Sequence, residues 1–422
     1  MKNLSVFLLL LIFVSKISLS FFPGFPYQYT FLIFQYGVHP FINIFLNIAV
    51  GGLLFAGFMS THQYQHYQKK GFKFYIFLMS LFLILITLVQ VVFNESENSS
   101  LLQILSALSA CFTIYLYGRV IPSVVNVELF FKIIKKTSII LCWCSLIALI
   151  FTPGTSFKGG RFIGVFKHIP YMVTLSTVAC TFLVYDLIYF NHTRRYKLIS
   201  LFNFLVAFLL LILTGTRSAL FAVLLSYFMA IIFFPAKKPT TQFLKVSLAS
   251  TVLLASLLFG AQVVDYTVGL IRGENSIGLR AAQDGVDSRI DEVKRGFETF
   301  SKSPFIGQGL LSKYGQINES EVGQYNANKD PHNIFVSAGV IGGLGFVFII
   351  TMGLLGLLYV CKNTIRSSMP ELKILSIYLI TQIPILVIYH VHLSLGGMAD
   401  RLYWLIIGYV MIHVKLQHHD RT

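Results

Sequence analysis

Residues 329–360 read KDPHNIFVSAGVIGGLGFVFIITMGLLGLLYV, and they join a polar stretch to an apolar run. A helix needs about 20 apolar residues to cross a hydrocarbon core of roughly 30 Å, and the run from residue 333 is longer than that. The polar residues that precede it, 262–333, form the only long polar stretch of the chain. The sequence therefore predicts a membrane protein with one large loop.

The composition indicates a chain that crosses the membrane many times. Of 422 residues, 55% are hydrophobic and 12% are charged, and the mean hydropathy is +0.73, which exceeds what a soluble core of this size carries. We predict an all-α polytopic membrane protein with about 12 transmembrane helices and one large loop between helices 9 and 10. The predicted spans lie near residues 4–22, 41–59, 72–93, 101–121, 129–151, 168–190, 196–214, 217–234, 243–262, 333–360, 372–395 and 400–416.

The net charge of +16 orients the chain and does not require a nucleic acid partner. If the chain starts inside and alternates, its cytoplasmic segments hold about 19 basic residues against four acidic ones, as the positive-inside rule requires. Both termini are then cytoplasmic and the loop lies outside. Residues 1–22 are expected to be retained as the first helix, because Phe21-Phe22-Pro23 lacks the small residues that a signal peptidase uses.

The chain divides into three predicted parts: residues 1–262 with helices 1–9, the loop 263–332, and residues 333–422 with helices 10–12. Within the loop, Ser288-Arg289-Ile290-Asp291 resembles a capping box. It is followed by apolar residues at helical spacing, which predicts a short amphipathic helix over about 288–302. The apolar stripe of that helix should lie on the membrane domain or in the interface and hold Arg289 near the bilayer surface.

His332 is a candidate base at the start of the tenth span. Asp330 before Pro331 favours a helix start there, since Asp accepts free backbone N–H groups and Pro tolerates the first helical position. His332 would then lie in the opening turn, where the positive end of the helix dipole disfavours an imidazolium and leaves a neutral ring. The alternative is a capping or interfacial histidine without a chemical role.

Four further cations could bind an anion at the outer surface. Arg217 lies in Thr214-Gly215-Thr216-Arg217-Ser218, the whole connection between two spans, where a guanidinium can bind a phosphate in bidentate fashion beside a helix N-terminus. Lys158, Arg161 and Lys167 fall in a connection that should be outside, although short outer loops rarely hold three cations. The alternatives are contacts with lipid phosphates and, for the last three, an error in the alternation.

Other chemistries have little support in the sequence. The carboxylate pairs Glu319/Glu321 and Glu95/Glu97 could bind a divalent ion, but solvated acids in loops are far commoner. The chain contains no Walker loop, dinucleotide fingerprint or serine-nucleophile elbow. We therefore predict no metal, no nucleotide and no cofactor.

The chain resembles the bacterial O-antigen ligase and polymerase superfamily over residues 160–350. The resemblance rests on an ordered set of motifs: Arg161-Phe162-Ile163-Gly164-Val165-Phe166, Thr214-Gly215-Thr216-Arg217-Ser218, Ser288-Arg289 followed by Pro304-Phe305-Ile306-Gly307-Gln308-Gly309, and Pro331-His332-Asn333-Ile334-Phe335 leading into Gly339-Val340-Ile341-Gly342-Gly343. One departure is that Lys167-His168-Ile169-Pro170 stands where the family often shows an Asn-rich turn, which leaves any role of His168 open.

The resemblance implies a glycosyltransferase of the GT-C-like type in the bacterial inner membrane, with its active site facing the periplasm. Length and the single large loop resemble the ligase more than the polymerase. A ligase transfers a finished polysaccharide from undecaprenyl diphosphate to the lipid A core oligosaccharide, without metal or nucleotide. The family pattern makes Arg217 and Arg289 binders of the donor diphosphate, aided by Arg161, Lys158 and Lys167, and His332 the candidate base.

Two alternatives stay open from the sequence. An O-antigen polymerase would perform the same chemistry with a second glycan as acceptor. A transporter of an anionic solute would also use a basic outer mouth, but it requires a polar path through the spans. Apart from Lys16 and Asp186, few ionisable residues lie deep in the predicted helices, which argues against such a path.

Overall fold

The computed structural model describes a bundle of helices with one small hairpin. The described residues are 70–93, 110–152, 156–158, 161–166, 169–188, 193–234, 286–309, 333–367, 369–388 and 398–413, with separate positions in 104–108 and 239–262. The predicted spans 4–22 and 41–59 lie outside them, as does most of the predicted loop. The count of 12 spans and the boundaries at residues 262 and 333 therefore stay predictions.

The described helices follow the predicted apolar runs closely. Helix ends differ from the predicted ends by a few residues, as expected when apolar runs stop at polar residues. In chain order they are α1 (Lys70–Phe93), a π-helical turn (Leu116–Val120) that continues into α2 (Ile121–Val124), α3 (Val127–Phe151), α4 (Ile169–Ile188), α5 (Arg194–Leu213), α6 (Arg217–Phe233), α7 (Val286–Lys302), α8 (Ile334–Thr364), α9 (Pro370–Ile388) and α10 (Met398–His413).

Five of the described helices are long and apolar enough to cross a membrane: α1, α3, α4, α5 and α8. Large apolar side chains are exposed on several of them, including Phe74 on α1 and Ile150 on α3. Exposed apolar surface of this extent suits lipid contact and not water contact. The chain is an integral membrane protein.

The centre of the bundle is α4. It contacts α3, α5, α6, α9 and α10. In its most apolar 18-residue segment 89% of the residues are buried, against about a third or less in the other four long helices. It also has the lowest mean hydropathy of the five, because it carries several hydroxyl residues. Two of them, Thr174 and Thr177, donate hydrogen bonds to carbonyls one turn earlier in the same helix.

The connection between α3 and α4 contains a two-stranded antiparallel hairpin, β1 (Phe157–Lys158) and β2 (Arg161–Phe162). The prediction of an all-α chain is therefore wrong at this connection, and the fold is mostly helical. Two-residue strands are too short to show a sequence pattern. They form here because Phe162 is fully buried and its ring packs edge-on against Phe157 at 5.5 Å.

Helix α8 breaks near its start, at Gly342 and Gly343. Gly343 has φ of +66°, and a Cβ atom there would collide with the Phe305 carbonyl, so only glycine suits this position. The break divides α8 into a first half that begins at Ile334 and a second half that begins after Gly343. The residues after α7, 303–309, lie against this break, and we name them the docking turn.

Candidate functional site

Arg217 is the first residue of α6 and its side chain is exposed. The connection from α5 is only Thr214, Gly215 and Thr216, shorter than the predicted five-residue connection because Arg217 and Ser218 belong to α6. The Thr214 hydroxyl closes the preceding helix by donating to the Leu211 carbonyl at 2.7 Å. Thr216 makes no capping hydrogen bond with its side chain. A guanidinium at a helix start with backbone N–H donors is an arrangement suited to an anion.

Arg161 is held at the surface by the buried residues that follow it. Phe162, Val165 and Phe166 are each at most 2% exposed, whereas Arg161 is half-buried. The backbone N–H of Val165 donates to the Ser145 hydroxyl on α3 at 3.4 Å. The apolar residues of this motif therefore anchor the hairpin to the bundle and leave its arginine at the edge.

The hairpin register pairs Lys158 directly with Arg161. The anion-binding role of Lys158 and Arg161 stays a prediction. Lys167 lies outside the described residues.

Arg289 lies in α7, the amphipathic helix predicted in the loop. The helix begins at Val286, two residues before the predicted start, so Ser288 is inside the first turn and the capping-box prediction is wrong. The predicted apolar stripe divides: Phe297 is 59% exposed, while Phe300 lies against Gly339 of α8. The helix thus packs on the membrane domain through its second half.

The start of α8 differs from the prediction. Asn333 is the N-cap, and its side-chain oxygen accepts hydrogen bonds from the backbone N–H groups of Phe335 at 2.9 Å and Val336 at 3.1 Å. The predicted cap at Asp330 is wrong, because Asn333 stands next to the first apolar residue and satisfies the same donors. His332 lies outside the described residues, immediately before this cap and not in the first helical turn.

The described site elements share one end of the bundle. Asp186, near the end of α4, pairs with Lys135 and accepts a hydrogen bond from Tyr196 at the start of α5, which defines one end. Arg217 follows α5 and therefore lies at the opposite end, as does the hairpin, which precedes α4 and contacts α5. The Tyr185 hydroxyl donates to Glu371 at the start of α9. Because α8 precedes α9 and runs antiparallel to it, its break lies at the Arg217 end.

Two buried polar residues were not singled out as site candidates from the sequence. Gln90 is 2% exposed and its amide nitrogen donates to two backbone carbonyls of other segments. Arg401, in the first turn of α10, is 6% exposed, and its guanidinium lies 5.8 Å from the centre of the Tyr117 ring. The signal for Gln90 was its place as a lone amide near the end of an apolar run.

No group of three or more His, Cys, Asp or Glu side chains is close enough to hold a metal ion within the part of the chain that the structure describes. Two described cations at the Arg217 end, Arg161 and Arg217, are arginines, a side chain that can bind phosphate groups through paired N–H donors. The candidate site is thus a basic one at the Arg217 end.

Comparison with known protein families supports the resemblance seen in the sequence motifs. Residues 202–361 match the family model described as O-Antigen ligase. This match, over less than half of the chain, supports membership of the O-antigen ligase and polymerase superfamily. The match runs from α5 through most of α8 and includes Arg217, Arg289 and His332, while the hairpin cations precede it. A comparison with curated proteins found no match.

The family places the protein among membrane enzymes of the glycosyltransferase type that act in polysaccharide assembly on lipid-linked substrates. The resemblance seen in the sequence motifs is therefore confirmed at the level of the superfamily.

Proposed function

We propose that this protein is an O-antigen ligase of the bacterial inner membrane. It transfers a polysaccharide from undecaprenyl diphosphate to the lipid A core oligosaccharide on the periplasmic side, without a metal or nucleotide. The observation that carries the proposal is the family match, which encloses the three residues expected to do the chemistry. Two helix starts support the proposal. Helix α6 begins with Arg217, and α8 begins at Ile334, two residues after His332.

The reaction is a single displacement. The acceptor sugar hydroxyl gives its proton to the neutral ring of His332 as its oxygen attacks the anomeric carbon. The bond from that carbon to the diphosphate breaks, and the leaving diphosphate keeps the electron pair. A base of this kind typically contributes about 10² to 10⁴ in rate. Because no protein nucleophile intervenes, the configuration at the anomeric carbon inverts.

Arg217 and Arg289 stabilise the leaving diphosphate. Removing one such stabiliser typically costs roughly 3 to 4 kcal/mol of transition-state stabilisation. Arg161, Lys158 and Lys167 increase the positive potential around the donor and are expected to contribute mainly to its binding. Fixed guanidinium groups thus take the place that a divalent cation holds in other glycosyl transfers.

The test is transfer by purified protein in detergent, with a diphosphate-linked glycan as donor and rough lipopolysaccharide as acceptor. The variants His332→Ala, Arg217→Ala and Arg289→Ala should each lose nearly all transfer and keep their folding. Full activity of His332→Ala would remove the base. Unchanged donor affinity in both arginine variants would remove the diphosphate contacts, and a product with retained configuration would exclude the single displacement.

The chain offers matched controls for both arginines. Arg194 is the first residue of α5, as Arg217 is of α6, but it lies at the Asp186 end. Arg295 is exposed on the same helix as Arg289, and its Nε donates to the Asp291 carbonyl within that helix. Arg194→Ala and Arg295→Ala should both leave transfer unchanged.

The superfamily also contains polymerases, which use a second glycan chain as acceptor. Deletion of the gene separates the two activities. Loss of a ligase leaves full-length glycan on the carrier lipid, whereas loss of a polymerase leaves single repeats on the lipopolysaccharide. We expect the first result.

A further inference from the structure

Gln90 joins three segments of the chain at one point. It lies in the last turn of α1, and its Nε2 donates to the Ile306 carbonyl of the docking turn and to the Ile341 carbonyl of α8, both at 2.8 Å. The side chain is 2% exposed. One amide nitrogen therefore uses both of its hydrogens to connect α1 with the docking turn and with the first half of α8.

These contacts satisfy backbone groups that the break in α8 releases. In an unbroken helix the Leu344 N–H would bond to the Val340 carbonyl. Here Leu344 donates to the Pro304 carbonyl at 2.8 Å, and Val340 accepts from the Gln308 N–H at 2.7 Å. Ile341 accepts from both Gly309 and Gln90. Within a membrane, unsatisfied backbone groups are costly, so each of these partners matters.

The docking turn fits the break without room for side chains. Gly307 has φ of +73°, and a Cβ atom there would lie 2.6 Å from both the Gly342 nitrogen and the Ile341 oxygen. Gln308 also donates from its side chain to the Thr299 carbonyl of α7 at 3.0 Å. Gln308 therefore connects the end of α7 to the break in α8 by hydrogen bonds.

Helix α7 and the first half of α8 both end at this junction and lie side by side. Phe300, in the last turn of α7, contacts the α-carbon side of Gly339, where an added Cβ would lie 2.9 Å from the ring. Gly296, one turn earlier, is also buried. Going back from the junction, α7 leads to Arg289 and α8 leads to Asn333, the residue after His332.

We propose that Gln90 is a positioning residue that holds the helix carrying Arg289 and the half-helix preceded by His332 in a common register. The proposal rests on the proposed transfer function. A small misplacement of reacting groups can cost about 10² in rate. Gln90→Leu, which keeps the bulk and removes the donors, should therefore lower kcat about 100-fold and change the KM for the donor much less.

Two variants separate hydrogen bonding from packing. Gln90→Glu keeps the shape of the side chain but loses the amide N–H donors, so it should be impaired as strongly as Gln90→Leu. Thr87→Val is the control: Thr87 lies one turn earlier on α1, is 3% exposed, and donates only to Leu83 of its own helix at 2.6 Å. It should keep full transfer. Equal activity of Gln90→Leu and wild type would overturn the proposal.

A second measurement is independent of transfer. Hydrogen–deuterium exchange of the peptides covering 303–309 and 340–344 should become at least tenfold faster in Gln90→Leu and stay unchanged in Thr87→Val. Faster exchange with normal transfer would overturn the positioning role. Equal loss of protection in α4 and α6 would overturn it too, because Gln90 would then support the whole fold.

The outcome also distinguishes this inference from the proposed function. If the wild type fails to transfer glycan, the proposed function is wrong, and the exchange result alone decides whether Gln90 joins the two helices. If the wild type transfers glycan and only the Gln90 variants lose transfer and protection from exchange, both the proposed function and the positioning role of Gln90 are supported.

Discussion

The two ends of the bundle are joined by different kinds of contact. At the ion-pair end, named for Lys135 and Asp186, side chains bond to side chains: Lys135 Nζ lies 2.8 Å from Asp186 Oδ1, and Tyr185 donates to Glu371. At the broken end, around Gly342, the backbone bonds to the backbone of the docking turn. Charged and polar side chains make the contacts at the first end, whereas the second end requires glycines.

The two ends are therefore expected to tolerate different substitutions. A side-chain pair can be replaced by two apolar residues of similar size, since both charges leave together. A backbone contact cannot be exchanged in this way, because every residue has the same N–H and C=O and only the space around them can change. The end that holds the candidate site is therefore the less tolerant one.

The largest effect is expected from Gly343→Ala. The new Cβ would meet the Phe305 carbonyl and the backbone would stay at positive φ, so the free energy of unfolding should fall by about 4 kcal/mol. Transfer should fall at least as far as in Gln90→Leu. Equilibrium unfolding in mixed detergent measures the first effect. Gly356→Ala in the same helix is the control, because a Cβ there meets nothing within 4 Å. If Gly343→Ala is as stable as the wild type, the backbone contacts at the break do not require glycine at position 343.

The next largest effect is expected from Asp186→Ala. It leaves the Lys135 ammonium, only 14% exposed, without its carboxylate, and should cost about 2–3 kcal/mol of unfolding free energy. Adding Lys135→Met should restore most of that loss. The same unfolding measurement decides it. If the double variant is no more stable than Asp186→Ala, the Lys135–Asp186 pair cannot be replaced by apolar residues in the way proposed.

A smaller effect is expected from Asn333→Ala at the start of α8. Two backbone N–H groups lose their acceptor, which costs about 1 kcal/mol at a typical N-cap. Asn333→Asp keeps an acceptor and should be nearly neutral. Because His332 precedes this cap, transfer should fall in the alanine variant and persist in the aspartate variant. Equal transfer by both would separate the cap from the site.

The smallest effect is expected from Ser226→Ala, midway between the two ends. Its hydroxyl lies 2.8 Å from that of Thr381, joining α6 to α9. Hydrogen bonds between membrane helices average about 0.6 kcal/mol, so unfolding should change by that amount and transfer should be unaffected. A double-mutant cycle with Thr381→Val measures the coupling. A coupling above about 2 kcal/mol would contradict this expectation and make the Ser226–Thr381 contact a major one.

The sequence predicted the helices well where apolar runs end in polar residues. The ends of α3, α5 and α6 were each found within a few residues of the prediction, and the connection before Arg217 is short, as expected. Amphipathic spacing also predicted α7. These features depend on residues close together in the chain, so local patterns contain them.

The sequence did not show the break in α8 or its partners. Gly342 and Gly343 can adopt helical backbone angles. Their non-helical angles here depend on contacts with backbone atoms of residues 304–309, and a side-chain pattern does not show such contacts. Asp186 was noticed as a deep charge, but its partner Lys135 lies 51 positions away. The start of α8 was placed at Asp330 because both Asp and Asn cap helices, and only the structure distinguishes them.

The burial of α4 has a consequence for how such chains can diverge. A helix enclosed by protein on all sides does not depend on lipid for solvation, so its hydroxyl residues need only neighbours or their own carbonyls. Its length need not match bilayer thickness either, since tilt and mismatch act on helices that touch acyl chains. Across related proteins, we expect the innermost helix to be the most polar span and the one that hydropathy scans most readily overlook.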